Sequence, residues 1–163
     1  MKYFFLVFTF LFSVSLVAQN KSLPSVDIKN LDGKSINIQD FANDGKITVL
    51  SFWATWCIPC QNELDAIADL YPEWQEDYGV ELVAITIDTR RQLAKVKPII
   101  TQKGWEYTFL SDEKQSLQQA LNFQAITQTF VLDKNGEIVY SHSGYIEGDE
   151  EELGDFLKEL AEN

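Results

Sequence analysis

Short apolar runs alternate along the chain with stretches in which apolar residues recur at helical spacing. Residues 46–53, KITVLSFW, and residues 80–87, VELVAITI, are rich in β-branched and aromatic side chains, which is typical of strands buried in the middle of a sheet. Residues 105–110 predict a further strand. Because predicted strands and helices alternate, we expect an α/β fold with a mixed central sheet flanked by helices.

Two hairpins are predicted, one near each end of the domain. Residues 26–29 and 34–38 are short alternating segments separated by Asn-Leu-Asp-Gly, and residues 129–132 and 137–143 are separated by Asp-Lys-Asn-Gly. Turn residues of this kind between two apolar segments favour a β-hairpin. We therefore expect an N-terminal β-hairpin and a second, antiparallel pair of strands near the C-terminus.

Helical spacing begins at Pro59, whose missing N–H is tolerated in the first turn of a helix. The apolar residues that recur after it are Leu64, Ile67, Ala68 and Tyr71. Pro72 interrupts the pattern, so we expect a kink or a restart there and an end near residues 78–79. Further helices are predicted over residues 90–103, 112–121 and 149–160. Pro98 should bend or break the first of these, and Asp112 or Ser111 should cap the second.

The start of the chain has the outline of a secretory signal. Lys2 precedes an uncharged apolar run over residues 3–18, and polar residues begin at Gln19. The run is shorter than the roughly 20 residues that cross a bilayer comfortably, which favours cleavage over a permanent anchor. Ala18 suits a cut before Gln19, because small residues precede most such sites.

Length indicates one domain, and the signal-like start of the chain indicates export. Beyond a signal peptide over residues 1–18, residues 19–163 are enough to bury one core and too few for a second domain. The formal net charge of −12 disfavours nucleic acid and anionic lipid surfaces as partners. We expect a monomer without a cofactor or a bound metal, periplasmic or otherwise extracytoplasmic, and tethered to the membrane if the first segment is not cleaved.

The chain has two cysteines, Cys57 and Cys60, and they permit three interpretations. A structural disulfide across so short a span is worth roughly 2 kcal/mol, against nearly 5 for a long loop. A closed zinc site usually needs four Cys or His ligands, and the chain adds only His142. A redox couple fits better, because the N–H groups and partial positive charge of a helix N-terminus stabilise a thiolate and lower its pKa.

In the redox interpretation, Cys57 is the nucleophile and Cys60 attacks the mixed disulfide to release the reduced partner. Glu63 lies three residues beyond Cys60, so the two share a helix face. We predict that Glu63 tunes the thiol pKa values and accepts the proton of Cys60. The alternative is a solvated carboxylate on a helix surface.

The segment VLSFWATWCIPCQNEL resembles the active site of the thioredoxin-like thiol:disulfide oxidoreductases of the TlpA and ResA type, which have a W-C-x-P-C core and an acid three residues after the second cysteine. The resemblance covers nearly the whole mature chain, including the N-terminal hairpin, an inserted strand-helix around residues 105–121 and the segment TFVLDKNGEIVYSHSGY. It implies a thioredoxin-like fold, redox roles for Cys57 and Cys60, and Glu63 as the active-site acid.

The resemblance also implies a reaction and its partners. The protein would reduce disulfides of extracytoplasmic protein substrates, and a membrane-borne thiol-disulfide donor would restore its own thiols. Substrate contacts are expected at Trp56, Pro59, Ile126 and Thr127. Ser51 takes the place of a buried Asp of thioredoxins and cannot act as a base, which favours Glu63 in that role.

Thr127 departs from the family pattern, because a cis-proline that faces the two cysteines is found there in the family. A cis bond before a residue other than proline costs about 2.5–4 kcal/mol, so we expect a trans peptide between Ile126 and Thr127 unless the surrounding fold forces it. The Ile126 backbone would still pair with an extended substrate segment. The Thr127 hydroxyl would hydrogen-bond a thiolate, and loss of the ring would admit a soft metal ion.

Two other functions would use the same cysteines. A module similar to thioredoxin-like copper chaperones would bind copper through Cys57 and Cys60, with His142 as a further ligand. A peroxidase of the peroxiredoxin kind is disfavoured, because the spacing of proline and threonine before Cys57 does not match that group.

Overall fold

The computed structural model describes residues 21–162, so the predicted signal segment lies outside the described residues. Within them, eight strands form one sheet in the order β1-β8-β7-β4-β5-β6-β2-β3. The strands are β1 (Lys21–Ser22), β2 (Asp27–Asn30), β3 (Ser35–Asn37), β4 (Thr48–Trp53), β5 (Glu81–Thr86), β6 (Thr108–Ser111), β7 (Gln128–Leu132) and β8 (Glu137–Ser143). The α-helices are α1 (Gln39–Ala42), α2 (Ile58–Tyr78), α3 (Val96–Lys103), α4 (Ser116–Leu121) and α5 (Asp149–Glu162), and a 3-10 helix covers Leu93–Lys95.

Parallel and antiparallel pairing meet at β4. This strand pairs in parallel with β5 and antiparallel with β7, and β5 pairs in parallel with β6. The β7–β8 pair is antiparallel, and the β2–β3 hairpin attaches antiparallel to β6. The predicted α/β class, mixed sheet and N-terminal hairpin are confirmed, and β6 with α4 forms the predicted strand-helix insertion. No helix within residues 21–162 combines the length and apolar character that a membrane crossing needs.

The central strands are buried, as their composition predicts. Every residue of β4 and β7 is buried, and within β5 only Glu81 is partly exposed. Helix α2 packs on one face of the sheet, where Tyr107 Oη donates to the Leu64 carbonyl at 2.7 Å and Trp105 Nε1 donates to Asp65 at 3.0 Å. These bonds help to fix the first turns of α2 relative to the sheet.

The restart that was one of the two outcomes predicted at Pro72 is wrong, since α2 is one helix of 21 residues that ends just before Gly79. Pro72 lies on the exposed face, where a carbonyl that loses its N–H partner can bind water instead. Tyr71 and Trp74, on either side of the proline, are buried in the core. Tertiary packing therefore holds the helix together across the proline.

Two helices begin later than the pattern predicts. Helix α3 begins at Val96, so Pro98 lies within its first turn, where a missing N–H costs little. Helix α4 begins at Ser116, and its N-cap residue is Gln115, whose side chain makes no capping hydrogen bond. The Asp112 carboxylate accepts the backbone N–H groups of Ser116 and Gln118, each at 2.9 Å. Asp112 therefore satisfies N–H groups of the first turn, but the N-cap position predicted at Asp112 or Ser111 is wrong, and the helix is shorter than predicted.

Candidate active site

The two cysteines lie between the end of β4 and the start of α2. Cys57 is the N-cap residue of α2, with an extended backbone of φ −94° and ψ 94°, and Pro59 follows in the first turn. The two cysteines form a disulfide with an S–S distance of 2.04 Å and a Cα–Cα distance of 5.4 Å. The Cys60 N–H donates to Cys57 Sγ at 3.3 Å. The helix start therefore presents an N–H group to the first sulfur, as predicted.

Exposure distinguishes the two cysteines. Cys57 keeps 6% of its surface exposed, whereas Cys60 is completely buried. The residues beside Cys57 are far more open: Trp56 is 57% exposed, Ile58 is 63% exposed, and Pro59 is also exposed. From the solvent side, Cys57 is therefore reached before Cys60, across an apolar rim.

Asp88, which the sequence pattern does not single out, holds the loop that precedes Cys57. Its carboxylate is fully buried and accepts the N–H and the hydroxyl of Thr55, at 2.8 and 2.9 Å. It also accepts the Thr86 hydroxyl at 2.7 Å. From the other side, Gln61 Nε2 on α2 donates to the Thr55 carbonyl at 3.0 Å. The sequence feature that could have indicated this role of Asp88 is its position directly after the predicted buried strand over residues 80–87.

Replacing Asp88 with alanine is expected to lower the free energy of unfolding by about 1–3 kcal/mol, because Thr55 and Thr86 lose their shared acceptor. Urea unfolding of the purified variant measures this change. The matched control is Asp77→Ala on the exposed face of α2, which should change the same quantity by less than about 0.5 kcal/mol. Equal stability of the two variants would show that Asp88 does not hold the loop.

Glu63 is buried one turn beyond Cys60, with 4% of its surface exposed. The Thr129 hydroxyl donates to Glu63 Oε1 at 2.8 Å. Desolvation by burial is the main cause that raises the pKa of Glu63 from its ordinary value of 4.5 to about 7. The Thr129 hydrogen bond lowers this pKa, and the charges of Asp149 and Glu150 raise it. The interpretation of Glu63 as a solvated carboxylate is therefore wrong.

Two buried side-chain oxygens near Thr129, one on Ser51 and one on Glu63, accept or donate no hydrogen bond among the described residues. Ser51 on β4 lies opposite Thr129 on β7, so their side chains share one face of the sheet. Among the described residues, neither Ser51 Oγ nor Glu63 Oε2 has a hydrogen-bond partner, although both atoms are buried. Buried polar atoms of this kind are commonly satisfied by an internal water. Glu63 thus keeps one oxygen that is available to carry a proton.

The peptide between Ile126 and Thr127 is cis, so the expectation of a trans bond is wrong. Tertiary contacts hold this loop. Thr127 is buried, its hydroxyl donates to the Gly144 carbonyl, and the Gly144 N–H donates to the Thr127 carbonyl at 3.0 Å. The hydroxyl is therefore bound to the backbone rather than to a sulfur of Cys57 or Cys60, which corrects the predicted contact.

The predicted substrate contacts lie at one end of the sheet. Strand β7 runs antiparallel to β4, so the start of β7, next to Ile126 and Thr127, lies at the same end as the exit of β4. Trp56 and Pro59 follow that exit directly. Residues that are far apart in sequence are thereby brought to the same end of the sheet as Cys57.

His142 on β8 contacts Asp149 at the start of α5, with 3.1 Å between Nε2 and Oδ2. Within residues 21–162, no group of three or more His, Cys, Asp or Glu residues is arranged to hold a metal ion. A metal ion at Cys57 and Cys60 would therefore lack a third ligand of these types from this part of the chain.

Comparison with known proteins identifies relatives of this chain. The sequence profile of the AhpC/TSA family matches residues 19–141. Thiol-disulfide oxidoreductase ResA of Bacillus thuringiensis (strain Al Hakam) is 32% identical over 140 residues, which cover 86% of this chain and 77% of that protein. The chain thus shares most of its length with a relative named for thiol-disulfide chemistry.

Solved structures agree with the sequence comparison. An uncharacterized thioredoxin-like protein from Porphyromonas gingivalis is 43% identical, with a TM-score of 0.76 over 86% of this chain and 92% of that chain. StoA from Bacillus subtilis is 26% identical, with a TM-score of 0.65 over 82% of this chain and 96% of that chain. The chain therefore belongs to the AhpC/TSA family and is a thioredoxin-like thiol-disulfide oxidoreductase similar to ResA.

Proposed function

We propose that this enzyme reduces disulfides of extracytoplasmic partner proteins, with Cys57 as the attacking thiolate and Cys60 as the resolving thiol. The observation that carries the proposal is the asymmetry of the pair. Cys57 keeps some exposure at a helix N-terminus, whereas Cys60 is buried in the first turn. A mixed disulfide would then form at the accessible sulfur and be resolved from the protein interior.

The reaction begins with the reduced enzyme. The Cys57 thiolate attacks one sulfur of the partner disulfide, so a bond forms from Cys57 to the partner while the partner's S–S bond breaks and its departing thiolate takes up a proton. The Cys60 thiol then loses its proton and attacks Cys57 Sγ, which releases the second partner sulfur. Two electrons have passed to the partner, and the Cys57–Cys60 disulfide remains.

Two groups near the sulfurs suit these steps. The Cys60 N–H, 3.3 Å from Cys57 Sγ in the disulfide form, would stabilise negative charge on that sulfur after reduction. Glu63 lies one turn beyond Cys60 and has a pKa of about 7, so it is matched to accept and return a proton near neutral pH. Glu63 is proposed as the proton acceptor for Cys60.

The substrate contacts and the redox partner complete the proposal. Trp56 and Pro59 would form the rim against which a partner docks, and the backbone beside Ile126 and Thr127 would pair with an extended segment of it. The signal-like pattern over residues 1–18 supports export. A membrane-borne thiol-disulfide donor would return two electrons to the enzyme after each turnover.

Insulin reduction tests this function. With dithiothreitol as electron source, the wild-type enzyme is expected to precipitate insulin B chain faster than dithiothreitol alone, because Cys57, the more accessible of the two cysteines, attacks the insulin disulfides. The double variant Cys57→Ser/Cys60→Ser is the control and should give no acceleration. A copper(I) competition titration on the same preparation tests the copper-binding alternative. Tight copper binding without insulin reduction would contradict the proposal.

A further inference from the structure

A row of polar side chains crosses the sheet from the interior to solvent. Thr129 on β7 lies directly opposite His142 on β8, so the two side chains share one face of the sheet. This is the face on which α2 packs, because the Thr129 hydroxyl donates to Glu63 of that helix at 2.8 Å. Glu63 and Thr129 are buried, whereas 37% of the His142 side chain is exposed. The row therefore links the buried acid to the surface.

Glu63 needs a neighbour to exchange protons with solvent, because the residue is almost fully buried. Its Oε1 accepts the Thr129 hydroxyl, and its Oε2 is buried without a hydrogen-bond partner in the part of the chain that the structure describes. A hydroxyl group donates one hydrogen bond and accepts others at the same time, so Thr129 can take a proton from Glu63 and give up its own. Thr129 is therefore the first step of a route that leads outward from Glu63.

His142 is placed to take the second step. Side chains directly opposite each other in an antiparallel pair have Cβ atoms about 4.5–5.5 Å apart, so the His142 ring is within reach of the Thr129 hydroxyl, directly or through one water. On its outer side, Nε2 is 3.1 Å from Asp149 Oδ2 at the start of α5, and the ring stacks on Tyr140 with 6.4 Å between centroids. The titratable groups that face the ring thus include Asp149, Tyr140 and, beyond Thr129, Glu63. An imidazole can contact Asp149 through one nitrogen and exchange a proton through the other.

We propose that His142 carries the proton of Glu63 to and from solvent, with the Thr129 hydroxyl as the link between them. The inference rests on the proposed disulfide reduction, in which Glu63 accepts the proton of Cys60, and it adds the route by which that proton leaves the interior. A histidine suits this position, because the imidazole group takes up and releases protons near neutral pH.

The proton balance of one turnover defines the route. When Cys60 attacks Cys57 Sγ, its thiol proton passes to Glu63, and the second partner sulfur leaves as a thiolate that takes up a proton from solvent. Protonated Glu63 then donates to the Thr129 oxygen, the Thr129 hydroxyl proton moves to the His142 ring, and the imidazolium releases one proton to solvent. Glu63 is thereby returned to the carboxylate. The same route in reverse returns a proton to Cys60 when the disulfide is reduced again.

Chemical rescue tests the role of His142. Reduced enzyme is mixed with one equivalent of a peptide disulfide in weak buffer and quenched with acid, and mass spectrometry follows the mixed disulfide and the Cys57–Cys60 disulfide over time. In His142→Ala and His142→Gln, the mixed disulfide is expected to form as in wild type but to resolve at least about tenfold more slowly, since positioned proton transfer contributes roughly 10²–10⁴-fold. Added imidazole should restore the resolving rate, whereas sodium chloride at the same ionic strength should not.

Ser141→Ala is the matched control, because Ser141 is the neighbour of His142 on β8 and its side chain lies on the other face of the sheet. This variant should resolve the mixed disulfide at the wild-type rate with or without imidazole. If His142→Ala resolves as fast as wild type, or if imidazole does not restore its loss, the inference is overturned. Failure of wild type to form the mixed disulfide would overturn the proposed function itself.

Variants of Thr129 test the link. Thr129→Val is expected to slow the resolving step to a similar extent, and imidazole should not restore the rate, because added imidazole does not reach the buried Glu63. Thr129→Ser keeps the hydroxyl and should restore the rate. The double variant Thr129→Val/His142→Ala should be no slower than Thr129→Val alone, because both changes interrupt one route. Losses that multiply in the double variant would show that the two residues act independently, and the proposed route would be wrong.

Discussion

Replacing Cys57 with serine is expected to slow insulin reduction at least about a thousandfold, because a serine hydroxyl cannot form the mixed disulfide on which the reaction depends. The Cys60→Ser variant should also lose turnover but keep the first attack. It is expected to accumulate a disulfide between Cys57 and the partner, visible by non-reducing electrophoresis and by mass spectrometry. The two variants thus fail at different steps.

Each cysteine variant serves as the stability control for the other. Both lose the same disulfide, and the short span it closes is worth only about 2 kcal/mol. A difference between the two variants in the amount of trapped complex therefore reports the reactivity of the remaining cysteine rather than a difference in folding. If the trapped partner accumulated on Cys60 in the Cys57→Ser variant instead, the proposed roles of the two cysteines would be reversed.

Replacing Glu63 with glutamine is expected to remove a pH dependence of stability worth about 3 kcal/mol in the oxidised protein. The pKa of Glu63 is about 7 in the folded state and 4.5 in its ordinary state. Between these values the folded protein holds a proton that the unfolded chain has released, so stability falls as pH rises from about 4.5 to about 7. Above that range the full cost of a buried carboxylate persists.

Guanidinium unfolding of wild type and Glu63→Gln at about pH 5 and about pH 8 measures this effect. Other groups face Glu63, including Asp149 and Glu150 at the start of α5 and Tyr107 just before β6, and all of them are retained in both proteins. The variant should gain much more stability relative to wild type at the higher pH than at the lower pH. Glu73→Gln, on the exposed face of α2, should show no such gain. If the difference in unfolding free energy that wild type shows between the two pH values is also present in Glu63→Gln, that difference arises from another group.

Much of the fold is predictable because it depends on local pattern. The apolar runs at residues 46–53 and 80–87 became β4 and β5, and the turn sequences placed both hairpins correctly. Pro72 was misleading, because its cost is local whereas the packing of Tyr71 and Trp74 that outweighs it is not. Local rules therefore predict which elements exist better than they predict where a helix is interrupted.

By itself, the sequence determined the strand-helix order and placed Cys57 and Cys60 at the start of a helix, since neighbouring residues suffice for both. Only the tertiary structure decided the environment of these cysteines. Glu63 is buried and accepts a hydrogen bond from Thr129, 66 residues away, and the loop before Cys57 is held by Asp88, 33 residues from Thr55. Burial and hydrogen bonding between distant residues control the pKa of Glu63 and the position of the loop, and a local pattern does not contain them.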